Sequence, residues 1–571
     1  MKGPPTGTPL GRMERLLDGR RSWILIVLVA YVCLTGVFWG AFVGDRGLHA
    51  ETGFVELSQV RPVMDGFIYP YDRDRPLMAV GFHLGYLLTK NSYLGLHIVL
   101  GIFILLTGLL SYLIVARLTD GAVLFAFVVG ALTISCGADY GANWVGYVVQ
   151  RQTTVFGLLA VLLFLEAWRS NRLWWFPFVL LGQALSLWTY EAILPLLAAA
   201  PLLLYRKHNW GRRFVVFAAV WSIVPVTKAA GIAYRYLLLQ EVSYQSRILS
   251  SAVSPLGLVE NLATLMVHGL AFWRWPAADL ATASDCGANI LGMIAGPTLI
   301  GAVCFVGAAV AMRRLPPQGE TFVARRWLLL GGLAGMCLAY LAFLPLPYPG
   351  SQRTQLISAL PASLVLAAIA FEIGRLVRSS FVVPIVLTCL VVTTGLATGL
   401  LGQIRLARDW APYRKIMGSI VTAAPRVRDG TLILLVGVPS HWSRTLCQTE
   451  GAFDPFRDVM WFNSGLQVLY EDTKLVGLYY RDDGTTSESI RFEFSPDGAR
   501  FRESGLGVED TEFDYSEMIA FRFDDKDGAV LLKRFPIDSV LGATQADGYA
   551  PENRILNQPV PEAVRSRLQL P

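Results

Sequence analysis

Between the first two long apolar runs of the chain lies Arg61 to Leu77, RPVMDGFIYPYDRDRPL, which holds three carboxylates (Asp65, Asp72, Asp74) and three arginines (Arg61, Arg73, Arg75). Carboxylates suit proton transfer and arginines suit anions, so an acidic, aromatic loop of this kind is where chemistry would sit. Asp72 and Asp74 alternate with Arg73 and Arg75 and also read as a local salt-bridge cluster. The loop is too polar to cross lipid and runs straight into the short apolar segment Met78 to Leu88, which reads as a helix lying at a membrane interface. The six histidines are scattered, with no H-x-x-x-H and no C-x-x-C, so no metal site and no cofactor is expected.

The elements that must position this loop are membrane helices. Of 571 residues, 54% are hydrophobic and only 16% charged, against roughly 25% charged in a soluble domain. The mean hydropathy is +0.47. Residues 1–21 form a basic tail, with Lys2, Arg12, Arg15, Arg20 and Arg21 before the first span, and the positive-inside rule keeps it cytoplasmic. About eleven spans follow, near 22–43, 93–116, 121–136, 153–168, 173–189, 191–205, 214–238, 289–312, 327–346, 355–374 and 381–402. Basic residues flank the inner turns, which puts loops 44–91 and 239–287 outside. The tight hairpin tip WTYEAILP, with Glu191, also lies outside. Within the second loop, Leu256 to Ala271 lies on or dips into the membrane surface.

From Asp409 onward 18 Lys and Arg face 25 Asp and Glu, so the basic excess belongs to the membrane half and speaks for orientation, not for a nucleic-acid partner. Residues 404–571 change character. A helix at about 409–424 precedes β-rich runs at Thr431 to Val438, Lys474 to Tyr480, Ser489 to Phe494, Met518 to Phe523 and Ala529 to Phe535, separated by Asp-Gly turns. The fold class expected is an α-helical polytopic membrane protein with a C-terminal extracytoplasmic α/β or α+β domain. That domain shows no G-x-G-x-x-G, no Walker A and no nucleophile elbow, which favours a binding or scaffold role for it.

The order of basic tail, one span, acidic outer loop ending DRDRPL, amphipathic segment and NSYLGLHIVLGIFILLTGLLSYLIVARL resembles the amino-terminal region of the GT-C superfamily of polytopic, lipid-linked-sugar glycosyltransferases. Arg75-Pro76-Leu77 and His97 carry the likeness there. SLWTYEAILPLLAAAPLLLY, with Glu191, and SQRTQLISALPASLVLA, with Arg353, extend it over roughly 20–400.

The resemblance implies transfer of a sugar from a polyprenyl-phosphate carrier to a glycan, lipid or protein acceptor on the outer face of a bacterial inner membrane, with inversion. Family members place an essential carboxylate in the first outer loop, often in a paired motif; here the carboxylates stand singly. Asp65 is the choice for general base, because MDGFIY sets it among apolar and aromatic residues, with Asp72 and Asp74 behind it. Arg353, Arg151 and Arg247 are the candidates for the leaving phosphate, and Glu191, Lys228 and His97 complete the candidate substrate site. Tyr69, Tyr71, Trp144, Tyr147, Trp273 and Trp275 either stack on sugars or form an interfacial aromatic belt.

Other readings stand beside these. Glu191 either caps a helix or touches substrate. Arg353, outside the family reading, is an interfacial snorkeller. Lys228, inside the seventh span, calls for a cavity or a partner. A flippase of lipid-linked sugars, or a non-catalytic envelope-polysaccharide assembly protein, would keep the architecture, although no internal repeat of the transporter kind is seen.

Overall fold

A computed structural model of the chain describes residues 19–39, 75–89, 92–119, 121–135, 145–207, 211–238, 254–273, 289–313, 322–345, 354–377, 381–439, 459–470, 472, 474–482, 490–495, 498–503, 511–535 and 546–570. The helices of the first part are α1 (Gly19–Trp39), α2 (Val80–Leu88), α3 (Leu94–Leu118), α4 (Val123–Ser135), α5 (Val148–Ser170), α6 (Phe176–Leu187), α7 (Leu194–Ala198), α8 (Arg212–Ala233), α9 (Pro255–Leu270), α10 (Asn289–Arg313), α11 (Phe322–Tyr340), α12 (Gln355–Leu376) and α13 (Val382–Ala423).

Seven of these, α3, α5, α8 and α10 to α13, contain stretches long and apolar enough to cross a membrane. Four shorter apolar stretches, Trp23–Thr35, Val123–Ser135, Leu173–Leu187 and Glu191–Leu203, hold the remaining expected positions. Among the described residues the count of full-length spans is therefore seven, where eleven were expected. Each arm of the hairpin opens with a 3-10 turn, Leu173–Trp175 or Glu191–Ile193, and Pro177 and Pro195 stand in the first turns of α6 and α7, where a missing N–H is tolerated.

The membrane core gathers α3, α4, α5 and α12. The rings of Tyr31, Phe127 and Phe305 stack in a column at 6.0 and 5.7 Å, joining α1, α4 and α10. The Tyr31 hydroxyl occupies the space a side chain at Gly130 would need, so that glycine is a packing requirement. Helix α5 begins five residues before the expected start at 153. Its first turns, Gln150, Arg151, Gln152, Thr153 and Thr154, are all buried; Gln152 bonds to Leu77 and Thr189, and Thr153 to Ser186 of α6. Helix α9 packs against α11 and α12 through Leu265 and Gly269 and leaves Leu256, Val259 and Val267 exposed.

Helix α13 runs unbroken for 42 residues, on the order of 60 Å at 1.5 Å per residue. The expected boundary at 404 thus falls inside one helix, and the segment expected as a separate helix at 409–424 is its end. Trp410 on this extension meets Tyr93 edge to face at 5.9 Å, so the stalk touches the start of α3.

The strands that follow are β1 (Arg426–Val427), β2 (Leu432–Val438), β3 (Val476–Arg481), β4 (Ile490–Ser495), β5 (Gly498–Glu503), β6 (Thr511–Asp514), β7 (Met518–Asp524), β8 (Gly528–Leu531) and β9 (Ile555–Leu556). Helix α14 (Val459–Tyr470) joins β2 to β3, and α15 (Glu562–Leu568) closes the chain. One sheet runs β3-β2-β7-β8, with β2 parallel to both neighbours and β8 antiparallel; β4, β5 and β6 form an antiparallel sheet. Parallel pairing buries β2 on both faces, which is why Leu432 to Leu435 are uniformly apolar. Gly430 and Gly528, each after an aspartate, take the positive φ values of 67° and 84° that the Asp-Gly turns require. The C-terminal part is α/β, with a small antiparallel sheet added.

Candidate functional site

Arg75, Pro76 and Leu77 connect the end of the acidic loop to α2. Three contacts tie them to the hairpin between α6 and α7. The Leu77 amide donates to the Trp188 carbonyl at 3.1 Å. Arg75 Nε and Nη2 donate to Glu191 Oε2 and Oε1 at 2.8 and 2.6 Å, a two-point fork between planar groups. The same guanidinium lies 4.5 Å above the Tyr190 ring. Both ion-pair side chains are 19% exposed, which shields the pair from water.

Why Glu191 points there follows from the local chain. Helix α6 ends at Leu187, and the amides of Trp188, Thr189 and Tyr190 bond back to Ala184 and Ser186, which folds the tip tightly. Glu191 then opens the next helical turn, where a negative charge meets free amide groups.

Lys228 reaches the same tip from α8. The buried residues of that helix are Phe217, Trp221, Pro225 and Lys228, a single stripe at helical spacing. Pro225 has no N–H, so the Trp221 carbonyl loses its helical partner, and the buried Gln183 amide donates to it at 3.1 Å. Trp221 Nε1 donates to the Leu197 carbonyl at 2.8 Å. These bonds dock α8 on α6 and α7 and turn Lys228 inward, its ammonium 5.3 Å above the Trp188 ring. Its charge reaches Glu191 as well. The tip therefore gathers two cations, one carboxylate and two aromatic rings.

The structure thus brings Arg75 and Lys228 together around Glu191. Arg151 is buried in the first turn of α5, and His97 is buried in the first turn of α3. Tyr147 is buried and Trp273 exposed. Asp65, Asp72, Asp74, Arg247 and Arg353 lie outside the described residues, as do Tyr69, Tyr71, Trp144 and Trp275. Among the described residues, no group of three or more His, Cys, Asp or Glu could hold a metal ion.

Two roles were not read from the sequence. Arg75 stands there in the Arg75-Pro76-Leu77 element and beside Asp72 and Asp74, which lie outside the described residues; its two-point pairing with Glu191 was not expected. Gln152 reads as the end of an outer loop, yet it lies inside α5 and bonds both to Leu77 and to Thr189. The available signal is the polar run QRQTT at the head of an otherwise apolar span.

No family model matches the chain, and no curated protein matches it. Among solved structures, the crystal structure of ArnT from Cupriavidus metallidurans bound to undecaprenyl phosphate aligns over 76% of this chain and 84% of that one, at 15% identity and a TM-score of 0.36. At that TM-score the likeness decides neither fold nor chemistry.

Proposed function

We propose that this chain is a GT-C-type membrane glycosyltransferase that moves a sugar from a polyprenyl-phosphate carrier to an acceptor on the outer face of the membrane. One observation carries this: the Arg75–Glu191 fork, with Lys228 of α8 beside it, anchors the end of an acidic loop to the cationic, aromatic tip of the α6–α7 hairpin. A proton acceptor on the loop and a cation on the bundle are the two groups the reaction needs.

In this reaction the acceptor oxygen attacks the anomeric carbon from the face opposite the phosphate. The new C–O bond forms as the bond to the phosphate oxygen breaks, and the configuration inverts. Asp65 takes the acceptor's proton as general base. The carrier phosphate leaves as an anion, so no general acid is needed, and cations stabilise the charge it gains. Arg75 is already paired to Glu191, which leaves the tip with a net positive charge from Lys228, supplemented by Arg151, Arg247 and Arg353 as further candidates. Trp188 and Tyr190 offer ring faces on which a sugar stacks.

The test is Asp65→Asn in cells whose surface glycan is followed by mass spectrometry. One sugar is expected to disappear while protein levels hold. Unchanged glycan with Asp65, Asp72 and Asp74 each neutralised removes the transferase reading in favour of an assembly protein or flippase.

A further inference from the structure

Helix α2 begins without a local cap. Its N-cap position is Ala79, which has no side-chain acceptor, and the amide of Gly81, the second helical residue, lies among those that no helix satisfies from within. In this structure the missing acceptor comes from another helix: Gln152 Oε1, in the first turns of α5, accepts the Gly81 amide at 2.8 Å.

The other end of the same carboxamide is equally committed. Gln152 Nε2 donates to the Leu77 carbonyl at 3.1 Å and to Thr189 Oγ1 at 2.8 Å, while Thr189 Oγ1 donates in turn to the Leu185 carbonyl at 2.6 Å. The side chain is 1% exposed, so these bonds form without competition from water. Gly81 permits the approach, since a Cβ there would come within 2.9 Å of Oε1, 3.1 Å of Val148 and 3.2 Å of Phe103.

The spacing gives the bonds their consequence. Leu77 stands two residues after Arg75, and Thr189 stands two residues before Glu191. One buried amide therefore sets the register in which the Arg75–Glu191 fork closes.

We propose that Gln152 is a positioning residue: it caps α2 from a distant helix and clamps the end of the acidic loop to the hairpin tip. Its role in catalysis rests on the transferase reading; the clamp itself does not. A glutamate here would keep the acceptor for Gly81 but face the Leu77 carbonyl with a second oxygen, and a methionine would fill the volume with no polar bond at all.

The experiment uses the full chain in lipid nanodiscs, comparing wild type, Gln152→Met, Gln152→Glu and the milder Thr189→Val, with Gly231→Ala, where nothing lies within 4 Å of an added Cβ, as a control. Hydrogen exchange across 77–88 is expected to quicken about tenfold in Gln152→Met and less in Thr189→Val, with the body of α5 unchanged. In the same preparations, supplied with an envelope extract of cells carrying Asp65→Asn as the source of donor and acceptor, consumption of a polyprenyl-phosphate-linked sugar is expected to fall in parallel, and Gly231→Ala to match wild type in both. Exchange at 77–88 that stays at the wild-type rate in Gln152→Met overturns the clamp and leaves the transferase reading standing. Faster exchange with transfer at the full rate overturns the positioning role. A wild-type chain that consumes no such lipid sinks the transferase reading and the catalytic part of the proposal, and a loosened 77–88 in the variant would still establish the clamp.

Discussion

Arg75 and Glu191, 116 residues apart in sequence, meet fork to fork at 2.8 and 2.6 Å. The pair joins the end of the first loop to the tip of the α6–α7 hairpin. Removing one partner leaves a partly buried charge unpaired, so Glu191→Gln or Arg75→Gln is expected to cost about 1–3 kcal/mol. The double variant should cost less than the sum of the two, because neither charge is then stranded. Thermal unfolding of the four proteins in nanodiscs reads the coupling; additive losses would show that the pair contributes nothing.

Lys228 is the second cation at this tip, over the Trp188 ring and within reach of Glu191. If the proposed carrier site lies here, Lys228→Met is expected to weaken binding of a polyprenyl phosphate by about tenfold or more, with Lys228→Arg intermediate, since a charge-assisted bond to phosphate is lost in the first and reshaped in the second. Titration of the purified chain with that lipid measures it. Equal affinities in all three would place the phosphate elsewhere.

The packing column gives a test independent of function. Gly130→Ala drives a methyl group into the Tyr31 hydroxyl, whereas nothing lies within 4 Å of a Cβ at Gly231. The first is expected to destabilise by about 1–3 kcal/mol, and the second to raise stability slightly by favouring the helix. Melting temperatures of the two variants decide the matter.

In the C-terminal sheet, Tyr549 bridges two strands: its hydroxyl accepts the Ala520 amide and donates to the Leu532 carbonyl, both at 2.9 Å. Burial pushes that hydroxyl from its usual 10 up to about 12. A raised value means the folded state favours the neutral form, so the stabilisation is complete below pH 10 and lost as pH rises through 12. Tyr549→Phe should be less stable than wild type by about 1–2 kcal/mol at pH 8, and the gap should narrow between pH 10 and 12. A constant gap would contradict the assignment.

Much of the fold was legible in the sequence because apolar length and basic flanks are local signals. The centres of α3, α5, α8 and α10 to α12 fall where hydropathy puts them, and β2, β3, β4 and β7 coincide with the β-rich runs. The hairpin arms expected at 173–189 and 191–205 coincide with the shorter apolar stretches Leu173–Leu187 and Glu191–Leu203. The polar head of α5 was read as loop because burial of Gln152 and Arg151 depends on partners more than 30 residues away. Helix α14 and strands β5 and β6 were missed for the same reason: short segments take their form from the sheets they pack on. At the site, Glu191 and Lys228 stood out as charges in apolar surroundings. Their meeting with Arg75 is tertiary, and no spacing reveals it.

Transfer from a lipid-linked sugar is tested most directly by reconstituting the full chain in vesicles with a whole envelope extract of cells carrying Asp65→Asn, which supplies both the lipid-linked donors and the acceptor, and following the polyprenyl lipids by mass spectrometry. Wild type is expected to consume one polyprenyl-phosphate-linked sugar and release polyprenyl phosphate, while Asp65→Asn leaves it intact. If wild type consumes no more of any such lipid than Asp65→Asn does, the account is wrong.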